Sequence, residues 1–280
     1  MQNLTLYHPR MGYVASVLLL VSLVLDPVLP AALLSGPAAA ATPVEVRTIP
    51  SRRGVTESFL LVRPDGPPTA SLILLAGDGG ELALSPEGIG HLGGNFLVRN
   101  RQRFAQEGFL VAVLDVPSDR TSLWNFRTTS DHAQDLKAAI AAMREIAPVP
   151  VWLVGTSMGT LSAANGAARL KEGGPDGIVL TSSVSVTTKS SGESIRHVSL
   201  DKITVPVLIV HHRHDGCQSS PYAFATYLPG DLKNARAKEL LTFDGGSPAT
   251  SGPCEARSAH GYLGIEPEVV SAISAWIRAH

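Results

Sequence analysis

Ser157 is the residue of this sequence whose surroundings point most directly to chemistry. It lies at the centre of a Gly-Thr-Ser-Met-Gly stretch at residues 155–159. An apolar run at residues 151–154 predicts a buried strand before the stretch, and a helix is expected over residues 161–170 after it. A Gly-x-Ser-x-Gly turn between a strand and a helix is tight and strained, and it lifts the serine hydroxyl clear of the sheet. The context therefore favours a nucleophilic serine over a surface turn.

In this context the sequence resembles the α/β-hydrolase family, and the resemblance covers nearly all of residues 42–280. The resemblance implies the α/β-hydrolase fold, in which the catalytic serine is followed along the chain by an acid and then by a histidine. The serine needs this base because a hydroxyl is a poor nucleophile near neutral pH. Neither a metal nor an organic cofactor is implied.

Asp215 occupies the position that the family gives to the acid. It follows the strand predicted over residues 205–210, and an acid there would orient the histidine and stabilise its charged form. The alternative is an ordinary turn aspartate, because Asp-Gly is a turn signal by itself. Asp244 is the rival acid, but it follows the last predicted strand, where the family has its histidine, and is interpreted as a turn residue.

His260 is the expected base, because it lies after the last predicted strand and before the closing helix predicted over residues 267–278. The chain has nine histidines, so a coincidental match has to be weighed. Four others do not fit, since three precede the acid and one ends the chain: His211, His212, His214 and His280.

The two cysteines, Cys217 and Cys254, give separate support to this assignment. One lies just after Asp215 and the other shortly before His260, so a meeting of acid and base would bring the cysteines together. An even pair in an exported protein is usually a disulfide, which is the prediction here. The alternative is two unrelated buried thiols, and two cysteines alone do not indicate a metal site.

The family resemblance also implies an oxyanion hole of backbone N–H groups. Met158, the residue after the serine, is expected to supply one donor. The second is expected from Asp78 or Gly79 in the loop after the strand predicted over residues 71–76, with the Asp78 carboxylate directed away. Many members carry His-Gly at the start of this loop, where this chain has Ala-Gly, so a plain glycine-rich turn is the alternative.

Buried-strand patterns alternate with helical patterns along the chain, which predicts a mostly parallel, doubly wound sheet. Only a short stretch separates residue 180 from residue 207, which leaves room for a minimal cap over the sheet. Predicted strands cover residues 44–49, 58–62, 71–76, 109–114, 151–154, 177–180, 205–210 and 239–243; predicted helices cover 97–107, the stretch between Ser130 and Pro148, 161–170, 222–228 and 267–278.

Two long loops are expected to line a substrate pocket, because both follow the carboxyl ends of predicted parallel strands. One spans residues 81–95 and the other residues 117–129, which includes Trp124, Asn125 and Phe126. Simple packing of these side chains is the alternative.

Composition and the N-terminal pattern place the chain in a broad class. Hydrophobic residues make up 44% and charged residues 17%, so a sizeable core can form, and the net charge of −1 gives no indication of nucleic-acid binding. Arg10, an apolar run at residues 11–25 and small residues ending at Ala39 and Ala41 predict a secretory signal peptide over residues 1–41. An uncleaved membrane anchor is the alternative. The expected mature domain, residues 42–280, would be secreted or periplasmic, with no stable membrane anchor.

The predicted reaction is hydrolysis of an ester, or less readily an amide, through an acyl-enzyme on Ser157. The expected partner is a small-molecule or polymer-derived acyl substrate. Two other functions stay open: an acyltransferase on the same fold, and a non-catalytic binding protein of α/β-hydrolase type.

Overall fold

The computed structural model describes residues 45–280. The predicted signal peptide and its cleavage site therefore lie outside the described residues. Within residues 45–280, every helix is too short or too polar to span a bilayer.

The central element is an eight-stranded sheet. Strand β2 runs antiparallel to both of its neighbours, β1 and β6, and the strands from β6 to β10 in the spatial order run parallel to one another. Its spatial order is β1-β2-β6-β3-β7-β8-β9-β10, and β4 and β5 form a separate small hairpin. This order confirms the predicted doubly wound, mostly parallel sheet. The strands are β1 (Glu45–Pro50), β2 (Thr56–Val62), β3 (Ala70–Leu75), β4 (Leu84–Ser85), β5 (Gly88–Ile89), β6 (Phe109–Leu114), β7 (Val151–Thr156), β8 (Gly177–Thr181), β9 (Val207–His212) and β10 (Lys238–Phe243).

Helices cover both faces of the sheet, which explains why the central strands β3, β6, β7 and β9 are buried along their whole length. Leu136 and Leu161 pack on one face, and Phe104 and Ile273 pack on the other. The helices are α1 (Phe96–Arg99), α2 (Arg101–Gln106), α3 (Ser130–Ile146), α4 (Gly159–Arg169), α5 (Tyr222–Ala225), α6 (Leu228–Asp231) and α7 (Glu266–Ala279).

Two predictions of a single continuous helix were wrong, because each predicted range contains two separate helical segments. The helix predicted over residues 97–107 breaks at Asn100, whose side-chain amide donates to the Phe96 carbonyl oxygen at 2.8 Å and separates α1 from α2. The helix predicted over residues 222–228 consists of the separate single turns α5 and α6. Pro229, in the first turn of α6, would clash with the carbonyl four residues earlier if the helix were continuous.

The connection from β8 to β9 forms only a minimal cap, as predicted. Residues 182–206 contain two short 3₁₀ turns, Ile195–His197 and Leu200–Lys202, and no longer helix. The carboxyl ends of the parallel strands therefore open towards solvent beside the loops that follow them.

A buried carboxyl group lies at the start of β2, beside the carboxyl end of β6. Glu57 on β2 is 1% exposed, and its Oε2 has no hydrogen-bond partner among the described residues. Burial raises the pKa of Glu57 to about 9, and the nearby carboxylates of Asp135 and Asp115 act in the same direction. Glu57 is therefore held neutral near pH 7.

Candidate active site

Ser157 lies at the sharp turn between β7 and α4 and has a left-handed backbone, with φ of 53°. Its N–H donates to the Thr181 carbonyl oxygen of the neighbouring strand at 2.9 Å. A Cβ placed on Gly159 would lie 2.1 Å from the Leu75 carbonyl oxygen, so only glycine lets α4 approach β3 this closely. The structure thus has the strand–turn–helix context that the sequence predicted.

Asp215 and His260 are brought together by the loops that follow β9 and β10. The imidazole Nδ1 of His260 lies 2.8 Å from Asp215 Oδ2, and both side chains are buried. Because the carboxylate accepts, Nδ1 carries the hydrogen, and Nε2 of the neutral ring is then an acceptor. This Nε2 atom is buried and has no hydrogen-bond partner among the described residues.

The Asp215 carboxylate is held in its ionised form. Burial by itself would raise the pKa of Asp215, but hydrogen bonds from His211 and His260 outweigh burial and hold the pKa well below its usual range. The backbone N–H of Cys217 also donates to Asp215 Oδ1, at 2.9 Å. A negative charge is therefore available to stabilise a charged His260.

Two neighbours of Asp215 were not predicted as site residues. His211 Nε2 lies 3.3 Å from Asp215 Oδ2 and 2.8 Å from the Ser220 carbonyl oxygen. Ser220 Oγ lies 3.1 Å from the same carboxylate oxygen and 3.0 Å from His260 Nδ1. The sequence signal for His211 is its place at the end of β9, four residues before the acid, whereas nothing local marks Ser220.

His260 is supported from behind by buried hydrogen bonds. Ser182 Oγ donates to the His260 carbonyl oxygen at 2.8 Å. The Tyr262 hydroxyl donates to the Val210 carbonyl oxygen at 2.8 Å, and its ring lies 4.7 Å from that of Phe96 between centroids. Burial raises the pKa of Tyr262, so its hydroxyl stays neutral. These contacts fix the turn that carries the imidazole.

Left-handed backbone is concentrated around this site. Four non-glycine residues close to the carboxyl ends of the parallel strands have positive φ: Asp78 at 49°, Ser157 at 53°, Ser182 at 48° and Tyr262 at 57°. Such conformations cost energy for residues with a Cβ and are held only by their surroundings.

The predicted pair of cysteines forms a disulfide. Cys217 and Cys254 have Cα atoms 4.5 Å apart and are separated by 37 residues in sequence. Both cysteines border the cavity that contains Ser157 and His260. The bridge therefore joins the loop of Asp215 to the loop of His260.

Two of the three candidate oxyanion donors border the cavity that contains Ser157. No hydrogen bond within the described residues uses the backbone N–H of Asp78, Gly79 or Met158. Asp78 and Met158 border the cavity, and Gly79 does not. The loop after β3 lies against the serine, since a Cβ placed on Gly77 would come within 3.5 Å of Ser157 Oγ. The Asp78 side chain is exposed.

The cavity has a volume of about 580 Å³ and opens at the carboxyl ends of the strands. The loop at residues 81–95 contributes Leu92 and Asn95, and the loop at residues 117–129 contributes Trp124. Phe126 does not reach the cavity, because it is 2% exposed and stacks under the guanidinium of Arg120 at 3.6 Å. Both loops thus contribute to the lining, but only through some of their residues.

A second serine–histidine pair lies nearby. Ser162 Oγ is 2.8 Å from His132 Nε2, and both residues are buried. Burial lowers the pKa of His132 to about 3, and Arg127 acts in the same direction, so the ring is neutral. Neither residue borders the cavity, which separates this pair from Ser157 and His260.

The sheet order and the turn at Ser157 define the α/β-hydrolase fold, and comparison with solved structures agrees. The chain is similar to an esterase from Pyrococcus furiosus at 14% identity and a TM-score of 0.59, over 84% of this chain and 91% of that one. It is similar to a lidless α/β serine hydrolase from Xanthomonas campestris at 17% identity and a TM-score of 0.56, over 84% and 96% of the two chains.

A carboxyl esterase from Bacillus coagulans is also similar, at 13% identity and a TM-score of 0.56, over 85% of this chain and 99% of that one. No family model and no curated protein matches the sequence. At these identities the comparisons show that the chain has the α/β-hydrolase fold, which does not by itself determine the chemistry of the site.

Proposed function

We propose that this protein is a serine hydrolase that cleaves carboxylic esters through an acyl-enzyme on Ser157. One observation carries the proposal: the two ring nitrogens of His260 have different environments. Nδ1 is held by Asp215 at 2.8 Å, whereas Nε2 has no hydrogen-bond partner within residues 45–280 and His260 borders the same cavity as Ser157. A general base needs this arrangement, with one nitrogen oriented and the other free to accept a proton.

In the proposed reaction Ser157 Oγ attacks the ester carbonyl carbon as its proton moves to His260 Nε2. The carbonyl oxygen becomes an oxyanion, which accepts hydrogen bonds from the N–H of Met158 and that of Asp78 or Gly79. Collapse of this intermediate breaks the ester C–O bond, and the imidazolium gives its proton to the leaving alcohol. Water then repeats the sequence on the acyl-enzyme, releasing the acid and restoring Ser157.

Ser157 Oγ and His260 Nε2 are not hydrogen-bonded to each other in the structure, since Nε2 has no partner in the described part of the chain. In enzymes without substrate this contact is often long and shortens only when substrate binds. The proposal therefore places the proton transfer in the substrate complex.

The minimal cap and the structural neighbours support an ester substrate at an accessible site. The similar structures from Pyrococcus furiosus and Bacillus coagulans are named as esterases, and the one from Xanthomonas campestris as lacking a lid. Here, too, residues 182–206 form only short turns. We propose a small-molecule or polymer-derived acyl group as the substrate. An acyltransferase would use the same steps, with an alcohol replacing water.

Labelling with a fluorophosphonate probe tests the nucleophile. We expect the wild type to be labelled and Ser157→Ala to lose labelling and hydrolysis of aryl esters while keeping its circular dichroism. Ser190→Ala is the matched control, because Ser190 borders the same cavity and should stay dispensable. Full labelling of Ser157→Ala, or a folded wild type that is never labelled, contradicts the proposal and favours a binding protein.

We also propose that the mature protein is exported. The disulfide between Cys217 and Cys254 supports an oxidising compartment. The N-terminal signal pattern supports the same location from the sequence.

A further inference from the structure

Arg127, in the loop between β6 and α3, is a buried cation without an ion-pair partner among the described residues. Its side chain is 0% exposed, and its polar contacts are with carbonyl oxygens and one hydroxyl. A charge removed from water costs several kcal/mol unless its hydrogen bonds are replaced. An apolar side chain of similar size would avoid this cost. The guanidinium is therefore expected to have a role that an apolar side chain could not perform.

The contacts of Arg127 lie on the loop that follows β3. Nη2 lies 3.1 Å from the carbonyl oxygen of Ala76, 3.4 Å from that of Gly77 and 2.9 Å from that of Asp78. Nη1 donates to Ser162 Oγ on α4 at 2.9 Å. One planar group thus ties the β3 loop to the helix that begins just after Ser157.

Because the peptide group is planar, these contacts also determine where the backbone N–H groups of the loop point. In a trans peptide the C=O of one residue and the N–H of the next point in opposite directions. Because the carbonyls of Gly77 and Asp78 point to Arg127, the N–H groups of Asp78 and Gly79 point away from it. Neither N–H is used in a hydrogen bond within the described residues. The left-handed backbone of Asp78, with φ of 49°, lets successive carbonyls lie on one side.

We propose that Arg127 is a positioning residue that sets the oxyanion hole, by holding the carbonyls of residues 76–78 so that the following N–H groups are presented to the reacting carbonyl oxygen. This inference rests on the proposed hydrolase function. Burial lowers the pKa of Arg127 to about 10, so the guanidinium is still charged at neutral pH. Arg127 itself does not touch the substrate, because it lies behind the loop and does not border the cavity.

The experiment measures kcat and KM for an aryl ester in the wild type, Arg127→Ala and Arg127→Lys. Loss of one oxyanion donor lowers kcat about 100-fold or more in enzymes of this chemistry, and a misplaced donor should lower it at least about 10-fold. We expect KM to change less than about threefold, because the ground-state ester gains little from the oxyanion donors. Arg127→Lys keeps the charge but cannot contact three carbonyls and Ser162 together, so its kcat should also fall.

Added guanidinium distinguishes positioning from a purely structural role. At concentrations below those that unfold the protein, guanidinium should restore part of kcat to Arg127→Ala, since it can occupy the vacated site. It should not restore Ser157→Ala. Arg120→Ala is the matched control, because Arg120 lies in the same loop but stacks on Phe126, and its kcat should stay at the wild-type value.

The outcomes separate this inference from the proposed function. If the wild type is neither labelled nor active, the hydrolase proposal fails and this inference fails with it. If the wild type is active and either folded Arg127 variant keeps the wild-type kcat, only the positioning role is overturned. Arg127→Lys retains charge and most of the side-chain volume, so it provides the kinetic answer if Arg127→Ala does not fold.

Discussion

Loss of the disulfide between Cys217 and Cys254 should lower activity more than it lowers the stability of the core. We expect its removal, by dithiothreitol or by the double substitution Cys217→Ala and Cys254→Ala, to lower activity under conditions in which the sheet stays folded. The bridge joins the loop of Asp215 to the loop of His260, and both cysteines border the cavity.

The size of the effect on stability follows from the loop that the bridge closes. For a sequence separation of 37 residues, the loop-closure relation gives about 13 cal/mol/K, or about 4 kcal/mol in the free energy of unfolding at 25 °C. Measured values for such bridges are typically about 2–4 kcal/mol. We therefore expect a loss of about 2–4 kcal/mol, which a buried eight-stranded sheet can survive.

Loss of the bridge should disturb the loops of Asp215 and His260 more than the sheet, because these loops have little regular structure of their own. Between β10 and the 3₁₀ turn Ala259–Gly261, the chain forms no regular helix or strand. Cys254 lies in this stretch, and Cys217 donates its N–H to Asp215. Without the bridge, the stretch before His260 should open at a lower free energy than the core does.

The assay is a urea titration followed in parallel by far-ultraviolet circular dichroism and by hydrolysis of an aryl ester. In the oxidised protein the two signals should be lost together, and in the reduced protein activity should be lost at lower urea. Dithiothreitol should change nothing further in the double variant. Two alkylatable thiols in the untreated, active protein, or coincident transitions after reduction, would refute the reasoning.

Three other predictions concern the acid, the buried glutamate and the N-terminus. Asp215→Asn should lower kcat about 10⁴-fold, as loss of the triad carboxylate does in serine proteases, because the charge beside His260 is removed; ester kinetics measure this. Urea unfolding at pH 5 and pH 8 should give the free energy of unfolding of Glu57→Gln and of the wild type. The variant should gain about 2–4 kcal/mol over the wild type on going from pH 5 to pH 8. Above its usual pKa of 4.5 the unfolded Glu57 releases its proton, whereas the folded group holds it up to about 9. Stability from this group therefore falls as pH rises, by at most about 1.4 kcal/mol per pH unit. N-terminal sequencing of protein from the native envelope should find a mature start near Thr42.

Each of these predictions has a control and an opposing result. Asp244→Asn should keep its activity, because Asp244 is exposed and pairs with Arg213 on the surface. Equal kcat values for Asp215→Asn and the wild type would remove Asp215 from the mechanism. Glu145→Gln, at an exposed carboxyl, should have the same change of stability with pH as the wild type. The same result for Glu57→Gln would contradict the buried-acid argument. An intact Met1 on cytosolic protein would contradict export.

The sequence was informative where structure follows from local pattern. The apolar runs of β3, β6, β7 and β9 predicted buried strands because such strands are covered on both faces. The meeting of Asp215 and His260 could be expected because both residues follow parallel strands, whose carboxyl ends share one edge of the sheet.

The features that the sequence missed depend on particular side-chain contacts that no residue pattern shows. Asn100 interrupts a helical pattern at the point where its side-chain amide donates to the Phe96 carbonyl oxygen. Ser220 contacts both Asp215 and His260 through the folding of its loop, and no motif marks it. Arg127 appears in the sequence as an ordinary loop arginine, since the three carbonyls that it contacts lie about fifty residues away along the chain.

The left-handed residues around the site have a consequence for engineering. Glycine adopts positive φ without the penalty of about 1 kcal/mol or more that other residues incur, so it would relieve this strain at Asp78, Ser157, Ser182 and Tyr262. Yet Ser157 is the proposed nucleophile, and the side chains of Ser182 and Tyr262 hold the turn of His260. A variant library screened for heat resistance alone would thus select glycine at these positions, where the proposed activity depends on the side chains. Thermostabilisation of this protein is better sought at positions remote from the carboxyl ends of its strands.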